Sequence, residues 1–173
     1  MKLSLLSTAI ILFTSSAFAQ HKHQSNLPSE TGQSQFAAIA EIVTLLRDTP
    51  ETDWARVDIQ ALRDHLVDMD NVTIRASVTQ ERNGLSITFN VTGDVVVAMS
   101  IQRMVTAHSA MLQQSSNWRA TALRKPNGAS LKIQVNSPEE LDQVKGLGFF
   151  GLMTIGAHHQ QHHLMIASGL SPH

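Results

Sequence analysis

The feature that most limits the possible folds is a pair of matching β-hairpin signals. Alternating stretches flank Asn83-Gly84 and again Asn127-Gly128, 44 residues later. Asn-Gly is typical of two-residue hairpin turns because both residues accept positive φ. The match continues at the same offset, without a gap, through the pairs Arg75/Arg119, Ala76/Ala120, Ser86/Ser130, Ile87/Leu131, Phe89/Ile133 and Val91/Val135. This pattern indicates an internal repeat.

A helix is predicted before each hairpin. Apolar residues recur at helical spacing over about 58–70, and a longer helix begins after Asp94, a favourable N-cap. The unit is therefore helix-strand-strand, used over 58–92 and again over 95–136. We predict an α+β fold in which these duplicated helix-hairpin repeats form a four-stranded antiparallel sheet with helices packed on one face.

Two further helical segments flank the repeats. The first covers about 35–46. The last segment opens with a capping box that begins at Ser137, and its glycines predict a break near 146–148. After that break we predict a histidine-rich helix over about 149–168, which ends at Gly169.

The start of the chain has the pattern of a secretory signal peptide. Lys2 precedes an apolar stretch that ends in small residues and the cleavage signal Ala17-Phe18-Ala19. We predict a signal peptide over 1–19, export to the periplasm, a disordered leader over 20–33 and a single domain over 34–173. No later segment is expected to span a membrane.

Composition limits the chemistry that the chain can perform. The formal net charge is −1 and no block of like charge occurs, so a nucleic-acid partner is not expected. The chain has no cysteine, so a metal site would use His, Met, Asp and Glu. Thioether is a soft ligand that suits Cu(I), and imidazole binds copper and zinc.

The histidines near the C-terminus are the strongest candidate ligands. His158, His159, His162 and His163 form two pairs spaced four apart, so each pair shares one helical face. Such pairs can hold one cation, although the metalloprotease version is absent because no Glu follows the first His. A helical wheel directs His159 and His163 towards the core and places His158 and His162 at the border or outside.

Other helices supply possible partners. His65 and His108 lie ten and eleven residues before the matching arginines of the two repeats, and each has methionines at helical spacing. We therefore predict a pocket between helices and sheet. Its predicted metal ligands are His65, His108, His158, His159, His162, His163, Met69, Met104 and Met111.

These features predict an exported metal-binding protein, with binding favoured over catalysis. Copper is the first candidate, in storage, delivery or tolerance, with a metal-donor or acceptor protein as partner. Zinc is an alternative metal, and haem with a His axial ligand is an alternative cofactor. A metalloenzyme with an open metal site is a third function, supported only by Asp64, Asp68 and Asp70 near His65. A fourth is an interaction domain whose histidines lie on the surface.

Overall fold

The structure is a computed structural model that describes residues 34–156 and 159–170, without the side chains of His159 and Gln160. The predicted signal peptide, the leader and His158 lie outside the described residues. The α+β class and the four-stranded antiparallel sheet are confirmed, and five α-helices occur in the described part of the chain.

The sheet has the strand order β1-β2-β4-β3, so the two hairpins meet through their second strands. Residues Ile87, Phe89 and Leu131 belong to its buried face, which packs against helices α3 (Val95–Ser115) and α4 (Pro138–Leu152). The strand bounds are β1 Ser77–Asn83, β2 Ser86–Thr92, β3 Arg119–Lys125 and β4 Gly128–Gln134.

The helices begin where the sequence offers capping side chains. Asp58, Asp94 and Ser137 each accept a backbone N–H from the first turn of the helix that follows. A π-helical turn over Asn71–Arg75 continues α2 and was not predicted. The helix bounds are α1 Ser34–Asp48, α2 Ile59–Asp70, α3 Val95–Ser115, α4 Pro138–Leu152 and α5 His159–Ala167.

The core has two parts. The larger part, here called the sheet cluster, is formed by the sheet with α3 and α4. The smaller part, the helix cluster, lies among α1, α2 and α5 and is built on Ile42, Leu46, Leu62, Leu66 and Ala167. The C-terminal helix therefore packs on α1 and α2, and α2 separates it from the sheet cluster along α3.

The prediction of one helix over 149–168 is wrong. A break does occur at Gly148, whose φ of 60° and ψ of −175° are not helical, but α4 then ends at Leu152 and α5 begins at His159. Gly156, at φ 73°, lies in this connection, and a Cβ there would meet the Ser115 side chain. The close approach to α3 and the left-handed backbone redirect the chain.

The hairpin turns differ from the predicted ones. The two-residue loops are Gly84-Leu85 and Pro126-Asn127, because Asn83 pairs with Ser86 and Lys125 pairs with Gly128. No described residue other than glycine has a positive φ, so the predicted turn with both Asn and Gly at positive φ is wrong. The first loop begins one residue after the start of Asn83-Gly84, whereas the second begins one residue before Asn127-Gly128, so the two loops differ by two positions. Proline favours the first central position of a turn, which accounts for the earlier second loop.

This shift means that the duplication is not confirmed. Arg119 pairs with Gln134 in the second hairpin. The residue 44 positions before Gln134 is Asn90, which pairs with Thr79 rather than with Arg75. Strands β1 and β3 are therefore four residues out of step with the gapless sequence match.

Helix α3 bears on the prediction that no segment after residue 19 spans a membrane. By length and composition alone it could cross a membrane. Val97, Ile101 and Val105 are buried against the sheet cluster, and a core helix has the same composition for that reason. The observation is therefore weak support for a membrane span.

Candidate functional site

Helix α5 is held against the start of α2 by its C-terminal end. The backbone N–H of Asp58, the residue before α2, donates a 2.7 Å hydrogen bond to the carbonyl of Ala167, the last residue of α5. The Arg56 guanidinium also donates to the carbonyl of Gly169 at 3.4 Å. The end of α5 therefore meets the beginning of α2, so the two helices run antiparallel and their central residues face each other.

That antiparallel packing brings three imidazoles together, here called the imidazole cluster: His65, His162 and His163. The ring centroid of His65 lies 4.8 Å from that of His162 and 5.5 Å from that of His163. His163 is only 6% exposed, in agreement with its predicted inward position. Two imidazoles that share a cation through bonds of about 2.1 Å have centroids about 5 Å apart, so these separations suit a shared ion.

The arrangement is not itself a formed metal site. In the part of the chain that the structure describes, no three His, Asp or Glu side chains are placed so that they could hold a metal ion. Ion binding at the imidazole cluster would therefore require the rings to turn about their side-chain torsions. His162 and His163 are adjacent in sequence, so their rings must approach from neighbouring directions on α5.

A cleft of about 650 Å³ opens beside the imidazole cluster, between α2 and α3. His65 lies on its α2 wall, Met104 on its α3 wall, and Ile166 reaches it from α5. Apolar side chains form much of the remaining lining, with a polar group at Asp68 and Arg103. His65 is therefore the residue that belongs both to the imidazole cluster and to the cleft.

The polar side of the cleft is a hydrogen-bonded network. The Asp68 carboxylate accepts from Arg103 Nε at 2.7 Å, from Arg103 Nη2 at 2.6 Å and from Ser100 Oγ at 2.7 Å. Asn71 Nδ2 donates to Ser100 Oγ at 3.0 Å and extends the network into the π-helical turn. Asp68 and His65 lie three residues apart on α2, so the network borders the imidazole.

The network fixes the charge of Asp68. Burial raises the pKa of this carboxyl. Hydrogen bonds from Arg103 and Ser100, together with the charges of Arg103 and His65, lower the pKa by more than burial raises it, so the pKa of Asp68 lies below its ordinary value. Asp68 is consequently an anion beside His65, and Arg103 supplies the opposite charge.

The structure separates His108 from this arrangement. His108 is 4% exposed, and its Nε2 lies 3.0 Å from the carbonyl oxygen of Leu152 at the end of α4. Because a carbonyl can only accept, Nε2 carries the proton in this contact. This contact is typical of a hydrogen-bonded core histidine.

The remaining candidate ligands are distributed over both cores. Met69 packs against the helix cluster, and Met104 is half-buried against the sheet cluster as well as lining the cleft. Met111 is half-buried on α3, where its carbonyl faces Gly156. The backbone of His159 begins α5.

Sequence reasoning missed the network around Asp68. Asp68 follows His65 at helical spacing, and that signal was available. Ser100 and Arg103 lie on the next helix in the fold, beyond the first hairpin, and no local pattern links them to Asp68. Their pairing follows only from how α2 packs on α3.

The fold and the site together define an α+β domain with a cluster of imidazoles between its helices. No protein-family model, curated protein or solved structure matches the chain.

Proposed function

We propose that the protein is an exported metal-binding protein that holds a copper ion at the imidazole cluster, between α2 and α5. One observation carries the proposal: residues from distant parts of the chain place the His65 ring 4.8 Å and 5.5 Å from the rings of His162 and His163. Once the rings turn about their side-chain torsions, three imidazoles at such separations would offer nitrogen ligands on one side of an ion.

Ligand type supports copper in particular. Imidazole nitrogens bind both zinc and copper, and copper binds more tightly to a given set of such ligands. A chain without cysteine cannot offer the thiolates that many structural zinc sites use. The predicted export places the domain in an oxidising compartment, where imidazole and thioether ligands persist.

The arrangement suits storage or delivery better than catalysis. The anionic side chain of Asp68, three residues after His65 on α2, is occupied by Arg103 and Ser100, so it is poorly suited to accept a proton during a reaction. An ion at the border of an open cleft could pass to a metal-acceptor protein without unfolding of the domain. We propose such exchange as the role of the site.

We propose further that the two helix-hairpin units have a common origin. In the central pair of strands, Thr88 lies opposite Lys132, and these two residues are equivalent at the shared offset of 44. A local two-fold axis relating two copies of one hairpin would produce that register. The slip of β3 would then be a later change, made with the Pro126 turn.

Metal analysis of the exported protein tests the proposed function. We expect stoichiometric copper in protein purified from its own periplasm, and retention of copper when the metal-free protein is reloaded. Loss of a residue that only supports a metal ligand weakens binding about 10–100-fold. His65→Ala should weaken copper binding by more than that, because it removes a ligand itself. Gln161→Ala, on the exposed side of α5, is the matched control and should bind as the unaltered protein does.

Three outcomes would overturn the proposal. A Soret band without bound copper would assign the protein to haem binding, and stoichiometric zinc without copper would replace the metal. The third outcome is that His65→Ala binds copper as tightly as the unaltered protein does, while substitutions within 158–163 abolish binding. That result would show that the ion is held by a local chelate on one helix.

A further inference from the structure

The cleft beside the imidazole cluster is lined by a methionine that the proposed function does not yet use. Met104 is on α3 and lines the same cleft as His65, which is on α2. Ala107 and Ile166 line the cleft with them, so Met104 belongs to an apolar part of its wall. An ion that reaches His65 through this opening passes along the wall that carries Met104.

We infer that Met104 supplies a thioether ligand from the cleft wall and makes the site select Cu(I) over Cu(II) and Zn(II). This inference rests on the proposed function and specifies the ion. Imidazoles alone bind all three ions, whereas a thioether adds affinity chiefly for the soft Cu(I). Methionine has three rotatable bonds, so a modest rotation can bring its sulfur towards a neighbouring ligand.

The charges around the cleft favour the same ion. The two carboxylates that line it are each paired with an arginine: Asp64 with Arg63 at 2.9 Å, and Asp68 with Arg103 at 2.6 Å. A divalent ion would therefore enter a half-apolar space without a spare anion to balance it. Burying the single charge of Cu(I) costs less, because the desolvation penalty rises steeply with charge.

Met69, Met99 and Met153 are less well placed. Met69 packs into the helix cluster, and Met153 packs against the sheet cluster. Met99 lies on the same helix as Met104 but is 53% exposed. Among the residues that line the described cleft, Met104 is the methionine. Met99 therefore provides a matched control for any change at Met104.

The test compares Met104→Leu with Met99→Leu. Leucine keeps the apolar volume that Met104 contributes to the sheet cluster and removes only the sulfur, and such exchanges are well tolerated in cores. Cu(I) affinity is measured anaerobically by competition with a colorimetric Cu(I) chelator, and Zn(II) affinity by competition with a zinc indicator. Met104→Leu should lower the Cu(I) affinity at least about tenfold and leave the Zn(II) affinity unchanged. Met99→Leu should change neither.

A direct readout of sulfur keeps the inference testable if Met104→Leu folds poorly. X-ray absorption at the copper edge of the unaltered protein loaded with Cu(I) should show a sulfur neighbour beside nitrogen neighbours. Nitrogen neighbours alone would overturn the inference and leave the imidazole site standing. Equal Cu(I) affinity in Met104→Leu and the unaltered protein would do the same. Failure of the unaltered protein to bind any ion at His65 would instead overturn the proposed function.

Discussion

The connection that directs α5 onto α2 depends on Gly156, and Gly156→Ala measures that dependence. Gly156 has a φ of 73°, and an added Cβ would lie 2.2 Å from Ser115 Oγ, 2.8 Å from Ser115 Cβ and 3.1 Å from the Met111 carbonyl oxygen. Alanine therefore meets both an unfavourable backbone conformation and a steric clash with the end of α3.

The size of the effect follows from these two causes. A left-handed conformation costs a residue with a Cβ about 1–2 kcal/mol. Forcing an extra carbon into a filled space costs about 1–3 kcal/mol. Alanine also restricts the unfolded chain, which returns about 0.4–1 kcal/mol. We expect Gly156→Ala to lower the free energy of unfolding by about 2–4 kcal/mol.

Urea denaturation followed by circular dichroism provides the measurement, with two matched variants. Gly146→Ala, in α4, places a Cβ where no atom lies within 4 Å, and it should stabilise the domain by about 0.5–1 kcal/mol. Ser115→Gly removes the atoms nearest to the added carbon, so Ser115→Gly combined with Gly156→Ala should cost less than the sum of the single changes. Unchanged stability in Gly156→Ala, or strict additivity in the double variant, would refute the reasoning.

Three further predictions concern charge, protons and processing. Asp68→Asn should lower the free energy of unfolding at pH 7 by about 1–2 kcal/mol, less than for a fully buried pair because Arg103 is 53% exposed. Since folding lowers the pKa of Asp68, its stabilising contribution is present above the ordinary pKa of about 3.9 and is lost as pH falls through the lower folded value. Urea titrations of Asp68→Asn and the unaltered protein should therefore converge at that low pH. Asp64→Asn, in an exposed pair, is the control, and equal stabilities of Asp68→Asn and the unaltered protein at pH 7 would contradict the reasoning. Metal affinity from competition titrations should fall below about pH 6 as imidazoles take up protons, and constant affinity down to about pH 5 would exclude imidazole ligands. The intact mass of the exported protein should correspond to a chain that starts at Gln20, whereas a start at His21 would create an amino-terminal copper chelate and a retained signal peptide would overturn the export prediction.

Local signals in the sequence were sufficient for the starts of α2, α3 and α4 and for the strand count. A cap such as Asp94 involves only its own side chain and the N–H groups of the next three residues, so its interaction is complete within one turn. The same holds for Ser137. Alternating apolar residues in β2 and β4 likewise identify strands whichever partner they find.

The parts that were not predicted depend on contacts between distant residues. Gly151 and Gly156 look alike in the sequence, yet Gly151 lies within α4, whereas Gly156 lies in the connection after α4, where it packs against Ser115. The Asp68–Arg103 pair likewise exists only because α2 packs on α3. Helical periodicity could therefore predict an inward face for His163, and it could not predict that this face meets His65.

The apparent equivalence of His65 and His108 does not extend to their surroundings. At the sequence offset of 44, His108 is equivalent to Asp64 of the first repeat. If the four-residue slip of β3 is included, His108 is equivalent to Asp68. Each helical residue turns the side chain by about 100°, so the one-position difference at the offset of 44 points the side chain to another face. His65 accordingly faces α5, and His108 faces the end of α4.

This difference in direction gives the two histidines different expected roles. His108→Ala removes the Nε2–H that donates to the Leu152 carbonyl and leaves a cavity in the core. That carbonyl keeps a second donor in the backbone N–H of Ile155 at 3.2 Å, so we expect a loss of about 1–3 kcal/mol in the free energy of unfolding. Copper affinity, measured by competition under conditions where the variant is folded, should match that of the unaltered protein. If His108→Ala weakens copper binding as much as His65→Ala does, the site extends across α3 and the imidazole cluster is only part of it.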